Sequence, residues 1–319
     1  MSSPTAASSF GVTTESTTIT DLGVFRAQGS RNHQEDRYTV LSPSSDPAGD
    51  IPPNYAFYAI YDGHGSAAVS SHARANLHKY LFGSKAFREG DLEGAMREAF
   101  KKEDEALFEM LLEVNDEEWR KGGSTACAVL LDLSSSRLVV ADVGDSRAVL
   151  AVSSEGKLTP LRLSRDFSPT DPDEHERIER AGGQVDNETH RVGGINMSRA
   201  LGDFAYKTPL VESRDPPPAI RVARAEGREI TSDLISRVPF VRSFDLHPPS
   251  HHTEGKETPF LVLASDGVWN VLSDEEVVRI LGKGIKAGLK LEDLVREVVE
   301  TLGKKEFSDN VSMVCVRFG

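Results

Sequence analysis

The stretch Phe57-Tyr58-Ala59-Ile60-Tyr61-Asp62-Gly63 is an apolar run that ends in an Asp-Gly pair. A second run, Phe260-Leu261-Val262-Leu263-Ala264-Ser265, ends in the same way at Asp266-Gly267. A short apolar run bounded by turn residues is typical of a buried strand, so each run predicts a strand that presents a carboxylate at its end. If the two strands are neighbours at the centre of the fold, their carboxylates can meet.

Two further acidic pairs adjoin apolar segments. Asp309-Asn310 precedes the run from Val311 to Phe318, and Glu35-Asp36 follows the short stretch from Leu22 to Phe25. A carboxylate beside an apolar strand is unfavourable unless a cation compensates its charge. Arg31 is the one obvious pairing cation nearby in the sequence. Several such carboxylates in one place therefore predict a site for divalent metal ions.

Composition indicates an ordinary globular protein. The chain has 319 residues, of which 38% are hydrophobic and 27% are charged, enough for one large core or two ordinary domains. The net charge is -13, from 50 acidic and 37 basic residues. Nucleic acids are bound by clusters of basic residues, which we do not find in this sequence, so we expect no nucleic-acid partner.

Several features bear on where the protein acts. Cys127 and Cys315 fall within apolar runs, which predicts small buried side chains in a reducing compartment. No apolar stretch approaches the roughly 20 residues that span a bilayer, so we expect no membrane insertion. Residues 1–20 contain no Lys or Arg, which disfavours a secretory or mitochondrial signal. We expect an intracellular monomer, in the cytoplasm or nucleus, with an organelle left open.

The order of predicted elements indicates an α+β fold. Strand patterns dominate the start, middle and end of the chain, and amphipathic helices lie between them, the clearest from Leu92 to Val114. Ser273 and Glu276 predict a capping box at the start of a later helix. We expect residues 1–20 to form a flexible tail and residues 21–319 to form one domain of two antiparallel sheets covered by helices.

The segment 214–256 departs from this order. It is rich in proline and contains His247, His251 and His252. These residues predict an insertion that is mostly loop around one or two short strands. A zinc tract is the alternative, but the histidines lack Cys or spaced acidic partners, so a solvated loop is favoured.

The candidate metal ligands are all oxygen atoms. Gly63 follows Asp62, and a glycine lets the backbone carbonyl turn inward as a further ligand. Hard oxygen ligands without Cys select Mg²⁺ or Mn²⁺ rather than zinc. Two such ions about 4 Å apart can activate a bridging water for phosphoester hydrolysis.

Arg31 and His64 would provide the other groups that this reaction needs. A guanidinium can hold a phosphate through two hydrogen bonds, and an imidazole can protonate a leaving alkoxide. Each feature alone has a plainer interpretation, since Asp-Gly is usually a turn, a lone His is usually structural, and an Arg near acids usually forms a salt bridge. Their combination in one order is what favours a catalytic interpretation.

Six motifs occur in the order found in one known family. They are Arg31-Asn32-His33-Gln34-Glu35-Asp36, Asp62-Gly63-His64-Gly65, Gly123-Ser124-Thr125-Ala126, Gly144-Asp145-Ser146-Arg147-Ala148, Ser198-Arg199-Ala200-Leu201-Gly202-Asp203, and Ser265-Asp266-Gly267 with Asp309-Asn310. In these motifs the chain, from about Leu22 to Phe318, resembles the metal-dependent protein phosphatases of the PP2C (PPM) family. The resemblance implies a β-sandwich of two antiparallel sheets flanked by pairs of α-helices. It also implies a binuclear Mn²⁺/Mg²⁺ centre and phosphoserine or phosphothreonine substrates.

The resemblance assigns roles residue by residue. Asp62 would bridge both metal ions and the Gly63 carbonyl would bind one of them. Asp266 and Asp309 would hold the other ion, and Asp145 with Asp266 would form a weaker third metal position. The residues that would complete the site, partly through water, are Glu35 and Asp36. The remaining assignments are Arg31 to phosphate binding, His64 to general acid catalysis, Asn310 to support, Asp203 to a turn or to ligation, and Arg191 and Arg199 to substrate contacts.

Two departures from the family pattern bear on activity and substrate choice. Ser66 stands where a second Gly usually follows His-Gly, and the segment after Asp203, where the family has a variable flap, carries the insertion 214–256. All acidic ligand positions are filled, so we expect an active phosphatase. The alternatives are a catalytically weak scaffold that binds phosphoproteins, and a metal nuclease or small-phosphoester hydrolase, of which the acidic charge disfavours the nuclease.

Overall fold

The structure is a computed structural model that describes residues 16–43, 49, 51–114, 117–154, 156–210, 216–246 and 259–319. The strands in these ranges are β1 (Ile19–Ala27), β2 (Arg37–Leu41), β3 (Tyr55–Tyr61), β4 (Gly63–His64), β5 (Gly123–Ser124), β6 (Ala126–Asp132), β7 (Arg137–Val143), β8 (Arg147–Ser154), β9 (Lys157–Arg162), β10 (Leu201–Gly202), β11 (Phe240–Asp245), β12 (Phe260–Ala264) and β13 (Val311–Phe318). The helices are α1 (Ala68–Gly83), α2 (Lys85–Arg88), α3 (Leu92–Val114), α4 (Glu117–Lys121), α5 (Pro172–Arg180), α6 (Pro218–Ala225), α7 (Asp266–Trp269), α8 (Asp274–Lys286) and α9 (Leu291–Gly303), with a short 3₁₀ helix at Phe204–Tyr206.

The strands form two antiparallel sheets of five strands each. One sheet has the order β1-β13-β12-β8-β9, and the other has the order β11-β7-β6-β3-β2. A small third sheet joins β10, β5 and β4. The two large sheets pack face to face through one apolar cluster, to which both contribute. The predicted fold class is therefore confirmed.

Strand β3 shows why its sequence is apolar throughout. Phe57 and Tyr61 pack in the cluster that contains α1 and α3, whereas Tyr58 and Ile60 pack in the cluster between the two sheets. Successive side chains of a strand point to opposite faces. A strand in this central layer therefore needs apolar residues at every position.

Helices cover both outer faces of the sandwich. The buried face predicted for α3 packs with α1 on the sheet that contains β3, and α8 and α9 pack on the other sheet. At the start of α8, the Glu276 backbone N–H donates to the Ser273 hydroxyl and the Ser273 N–H donates to the Glu276 carboxylate. The capping box is confirmed. No helix in the described ranges is long and apolar enough to cross a membrane.

The described part of the segment 214–256 contains a helix that was not predicted from the sequence. It contains the helix α6 as well as the strand β11, which pairs with β7 at the edge of a sheet. The strand β11 fits the expectation of one or two short strands, whereas the helix α6 was not predicted. Ala219 and Ile220 of α6 are buried in an apolar cluster with Ile178 of α5. The three predicted histidines of this segment lie outside the described residues, as do residues 1–15 of the predicted tail. Cys127 and Cys315 are buried and unpaired, as predicted.

Candidate active site

Antiparallel pairing brings the predicted acidic residues to one end of the sandwich. The end of β3 lies beside the start of β2, which places Asp62 next to Asp36. The end of β12 lies beside the start of β13, which places Asp266 next to Asp309. The turn between β7 and β8 carries Asp145 to the same end, because β8 pairs with β12.

Asp62 lies at the centre of this group. Burial raises the pKa of Asp62 well above its usual value, and the charges of Asp36, Asp266, Asp145 and Asp309 raise it further. Carboxylates that raise one another's pKa values repel one another when ionised. The group therefore carries more negative charge than the neighbouring protein cations compensate.

The backbone at Asp62 is fixed by the motif Gly123-Ser124-Thr125-Ala126. The Asp62 N–H donates to Thr125 Oγ1 at 3.1 Å, and the Thr125 N–H donates to the Asp62 carbonyl at 2.9 Å. The Ser124 hydroxyl donates to the same carbonyl at 3.2 Å. These contacts give the motif a structural role, which is to aim the Asp62 side chain.

The pKa values of Asp36 and Asp145 are raised, like that of Asp62. Asp36 is fully buried, and burial raises its pKa to about 6, with a further contribution from the charge of Asp266. Its Oδ2 accepts a hydrogen bond from the Ser265 hydroxyl at 2.9 Å, whereas its Oδ1 is buried without a hydrogen-bond partner among the described residues. Burial raises the pKa of Asp145 to about 7, and the charges of Asp266 and Asp166 contribute.

Gly63 allows the Glu35 loop to approach Asp62. A Cβ atom at Gly63 would lie 2.6 Å from the Glu35 carbonyl oxygen and 2.8 Å from Ser70 Oγ. The Ser70 hydroxyl donates to that same carbonyl at 2.6 Å. The glycine predicted as a backbone ligand is thus required for packing, and any side chain at this position would displace the Glu35 loop.

Asn310 connects the Glu35 loop to the loop before β13. The Glu35 N–H donates to Asn310 Oδ1 at 2.7 Å, and Asn310 Nδ2 donates to the carbonyls of Gln28 and His33 at 2.7 and 3.0 Å. All polar atoms of the amide are therefore used within the protein. Asn310 has the supporting role that the resemblance implies.

The donor set fits a hard divalent cation. It consists of carboxylate and carbonyl oxygens, including the unpartnered Oδ1 of Asp36. Within the described part of the chain, no three His, Cys, Asp or Glu side chains are already arranged around one point that could hold a metal ion. Mg²⁺ does not need such a closed cage, since it usually binds through one or two carboxylates and keeps several waters.

Arg31 contacts the acidic group directly. Its Nη2 donates to Asp309 Oδ2 at 2.5 Å, and the Arg31 side chain is 59% exposed. An exposed ion pair of this kind is weak and is readily exchanged for another anion. Arg31 thus lies beside the predicted metal site with its guanidinium accessible to an incoming phosphate.

His64 is held by Asp203, a pairing that the sequence did not predict. His64 Nε2 lies 2.9 Å from Asp203 Oδ2, and His64 Nδ1 is buried without a hydrogen-bond partner among the described residues. Burial alone would lower the pKa of His64, but the charge and hydrogen bond of Asp203 raise it overall. A Cβ at Gly123 would lie 2.3 Å from His64 Nε2 and from Asp203 Oδ2, so this glycine makes room for the pair.

The two arginines predicted as substrate contacts have different surroundings. Arg199 pairs with Glu174 at 2.5 Å and stacks on the Phe167 ring, with its guanidinium carbon 3.9 Å from the ring centroid. Arg191 is exposed and donates to the Gly194 carbonyl at 2.7 Å. A substrate contact by Arg199 would require the Glu174 pair to open.

The sequence contained a weak signal for the His64 partner. Asp203 stands in the motif Ser198-Arg199-Ala200-Leu201-Gly202-Asp203, for which the sequence suggested a turn or a metal ligand. The turn is present, with Asp203 in a left-handed conformation at φ 52°. Its partner could not be predicted because Asp203 and His64 are far apart in sequence, and the small sheet that joins them consists of two-residue strands.

Comparisons with known proteins agree on one family. A model of the family described as Protein phosphatase 2C matches residues 20–311. Protein phosphatase 2C homolog 2 of Hypocrea jecorina (strain QM6a) is 30% identical over 308 residues, which cover 93% of this chain and 62% of that protein. A probable protein phosphatase 2C of Caenorhabditis elegans is 34% identical over 252 residues, which cover 79% of this chain and 59% of that protein. The chain thus spans less than two thirds of the length of both relatives.

A solved structure supports the architecture. The crystal structure of serine-threonine phosphatase 2C from Toxoplasma gondii superposes with a TM-score of 0.70 at 22% sequence identity. The superposition covers 93% of this chain and 94% of that one. At this identity the likeness establishes the fold alone.

Proposed function

This chain belongs to the protein phosphatase 2C family, and we propose that it hydrolyses phosphoserine and phosphothreonine in proteins with the help of divalent metal ions. The observation that carries the proposal is the group of carboxylates around Asp62, whose charges raise one another's pKa values. Bound cations would relieve the repulsion between these charges. The oxygen donors of the group favour Mg²⁺ or Mn²⁺.

The acidic end of the sandwich would hold two ions at the core and a weaker third. The residues proposed to hold them, directly or through water, are Glu35, Asp36, Asp62, the Gly63 carbonyl, Asp145, Asp266 and Asp309. When bound, divalent ions lower the pKa of water and so supply the nucleophile for attack on phosphorus. The protein supplies the orientation of these oxygens through Thr125 and Asn310.

Arg31 and His64 would act on the substrate itself. Arg31 would turn from Asp309 to the phosphate and hold two of its oxygens. His64 would donate a proton to the serine or threonine oxygen as the bond from phosphorus to that oxygen breaks. Asp203 pairs with Nε2, and its charge and hydrogen bond raise the pKa of His64, which favours the protonated imidazolium.

The proposal extends to the substrates and the setting. The exposed position of Arg31 suits a phosphorylated side chain that projects from a protein surface. We propose that the protein acts on phosphoproteins as a monomer in the cytoplasm or nucleus. The scaffold alternative would keep phosphoprotein binding and lose turnover.

The test is phosphate release from a phosphothreonine peptide with and without Mn²⁺ or Mg²⁺. We expect release only with metal, and loss of release in Asp266→Ala. A folded wild-type protein that releases no phosphate with either metal would favour the scaffold. Release that persists in Asp266→Ala would contradict the assigned metal site.

The role of His64 is tested by comparing leaving groups. In His64→Ala we expect turnover of the phosphothreonine peptide to fall by about 100-fold, the lower end of general acid contributions. Turnover of an aryl phosphate should change little, because an aryl oxide leaves without a proton. Equal losses on both substrates would refute the acid assignment.

A further inference from the structure

A buried ion pair lies outside the groups proposed for catalysis. Lys207 Nζ donates to Asp104 Oδ1 at 2.6 Å, and the two side chains are 1% and 0% exposed. Asp104 belongs to α3, and Lys207 directly follows the 3₁₀ helix Phe204–Tyr206. A third charged group, the Arg237 guanidinium, lies 3.4 Å from Asp104 Oδ2.

The two charged groups also bind the backbone that leads to Asp203. The Gly202 N–H donates to Asp104 Oδ1 at 3.0 Å, and Lys207 Nζ donates to the Ala200 carbonyl at 2.9 Å. The chain is therefore anchored on both sides of Asp203, at 200–202 before it and at Lys207 after it. The paired groups of Asp104 and Lys207 hold all of these anchors.

Asp203 has a backbone conformation that benefits from such anchors. Its φ and ψ are 52° and 39°, in the left-handed region that residues other than glycine seldom adopt. From this conformation its carboxylate reaches His64 Nε2 at 2.9 Å. A relaxation of this residue to a commoner conformation would move the carboxylate away from the imidazole.

We propose that Asp104 and Lys207 are positioning residues that set the orientation of His64 through Asp203. This inference rests on the proposed function, in which His64 protonates the leaving group. Stability alone does not explain the pair, because the desolvation of two buried ions offsets their attraction and apolar replacements of similar size are often neutral or stabilising. A fixed geometry at Gly202 and Ala200 does explain it, since only a paired acceptor and donor can bind both backbone groups.

The first test measures the position of His64 without any turnover. Nuclear magnetic resonance of protein labelled with ¹⁵N-histidine reports the ring nitrogens of His64. We expect Lys207→Met to shift these signals. The matched control is Glu103→Gln, which changes the neighbouring buried carboxylate of α3 and should affect only His72, its partner at 2.7 Å. Unchanged His64 signals in folded Lys207→Met protein would overturn the inference.

The second test measures the consequence for the reaction. We expect Lys207→Met to lower turnover of a phosphothreonine peptide by about tenfold, a part of the general acid contribution, and to leave turnover of an aryl phosphate nearly unchanged. Glu103→Gln should leave both rates unchanged. Equal losses on both substrates in Lys207→Met, with His64→Ala still selective, would overturn the inference.

The experiments distinguish a failure of this inference from a variant that does not fold and from a failure of the proposed function. If Lys207→Met does not fold, the double variant Asp104→Asn with Lys207→Met replaces it, since it removes both buried charges and keeps an acceptor for the Gly202 N–H. If the wild-type protein shows no metal-dependent turnover, the proposed function fails. The histidine spectra then still decide whether Lys207 positions His64.

Discussion

The acidic centre and a second acidic group, beside α5, differ in how their charges are compensated. The acidic centre consists of Asp36, Asp62, Asp145, Asp266 and Asp309. The second group, called here the arginine-linked group, consists of Glu174 and Asp233 with Arg177, Arg199 and Arg237. In the acidic centre, burial and like charges raise the pKa values of Asp62 and Asp266. In the arginine-linked group, the pKa values of Glu174 and Asp233 are lowered instead.

Glu174 shows the reversal most clearly. Its carboxylate is 2% exposed and lies 2.9 Å from Arg177 and 2.5 Å from Arg199. Burial alone would raise the pKa of Glu174, but the hydrogen bond from Arg199 and the charge of Arg177 lower it overall. The hydrogen bond and charge of Arg237 likewise lower the pKa of Asp233, which burial alone would raise. Carboxylates that are paired with guanidinium groups stabilise the fold, whereas the carboxylates that face one another form the site proposed for metal ions.

The largest expected effect comes from Asp62→Asn. Metal ions provide several kcal/mol of transition-state stabilisation, which corresponds to a loss of about a thousandfold in turnover. In metal-free protein the same change should stabilise the fold, because it removes one carboxylate from a group whose members repel one another. Phosphate release and urea unfolding in a chelator measure the two effects. A variant that is less stable than wild type without metal would show that Asp62 is compensated within the protein.

Glu174→Gln should have the opposite effects, so that it lowers the stability of the fold and leaves turnover unchanged. It leaves Arg177 and Arg199 without a charged partner, and breaking a largely buried ion pair costs about 3–5 kcal/mol. We expect this loss of unfolding free energy to be equal with and without Mn²⁺, and turnover of the folded fraction to be retained. Urea unfolding in both conditions provides the measurement. A metal-dependent loss would show that the two groups are coupled.

The pH dependence of the unfolding free energy in metal-free protein distinguishes the acidic centre from the arginine-linked group. When folding raises the pKa of a carboxyl group, the group contributes its full stability at a pH below its pKa in the unfolded chain. This contribution is lost as the pH rises through the pKa of the group in the folded protein. The pKa in the folded protein is about 6 for Asp36 and about 7 for Asp145, compared with a usual value of 3.8. The stability of the protein in chelator should therefore fall between about pH 4 and pH 7, with a slope that approaches about 1.4 kcal/mol per pH unit for each titrating group.

The arginine-linked group opposes this trend only at the acid end of the pH window, near the usual values of 4.5 for Glu174 and 3.8 for Asp233. The pKa values of Glu174 and Asp233 are lowered, so their contributions are complete above the unfolded values and are lost only as the pH falls further. His64, whose pKa is raised, acts in the same direction as Asp36. Urea unfolding at several pH values, with chelator and with saturating Mg²⁺, tests the expectation. Stability that rises with pH across this window in chelator would contradict it.

The smallest expected effect concerns Arg31, which contacts Asp309 of the acidic centre. Arg31→Ala removes the partner of Asp309, an exposed pair, so metal affinity should rise by only about two- to fivefold. The KM for a phosphothreonine peptide should increase more than kcat decreases, because Arg31 would bind the phosphate. Lys85→Ala, which opens an exposed pair with Glu89 far from the site in sequence, is a matched control. An unchanged KM would remove Arg31 from the phosphate site.

The sequence predicted the sandwich and most of its acidic end. Apolar runs such as the one ending at Asp62 revealed both the burial of their strands and the position of the carboxylates, since a strand buried on both faces leaves a local signal. The partners of His64 and Lys207 were not predicted. The contact of His64 with Asp203 and that of Lys207 with Asp104 join residues distant in sequence, and a left-handed aspartate leaves no periodic pattern. The helix α6 was missed because its prolines suggested a loop, although proline is well tolerated at a helix start.

Calorimetric titration of metal-free protein with Mn²⁺, in two buffers of different ionisation enthalpy, tests the central claim most directly. We predict that Mn²⁺ binds, that binding releases protons near neutral pH because the ions displace them from carboxyl groups with raised pKa values, and that Asp266→Ala weakens binding while Glu174→Gln does not. Folded wild-type protein that binds no Mn²⁺, or that binds it equally after Asp266→Ala, would contradict the account of the acidic centre as a metal site.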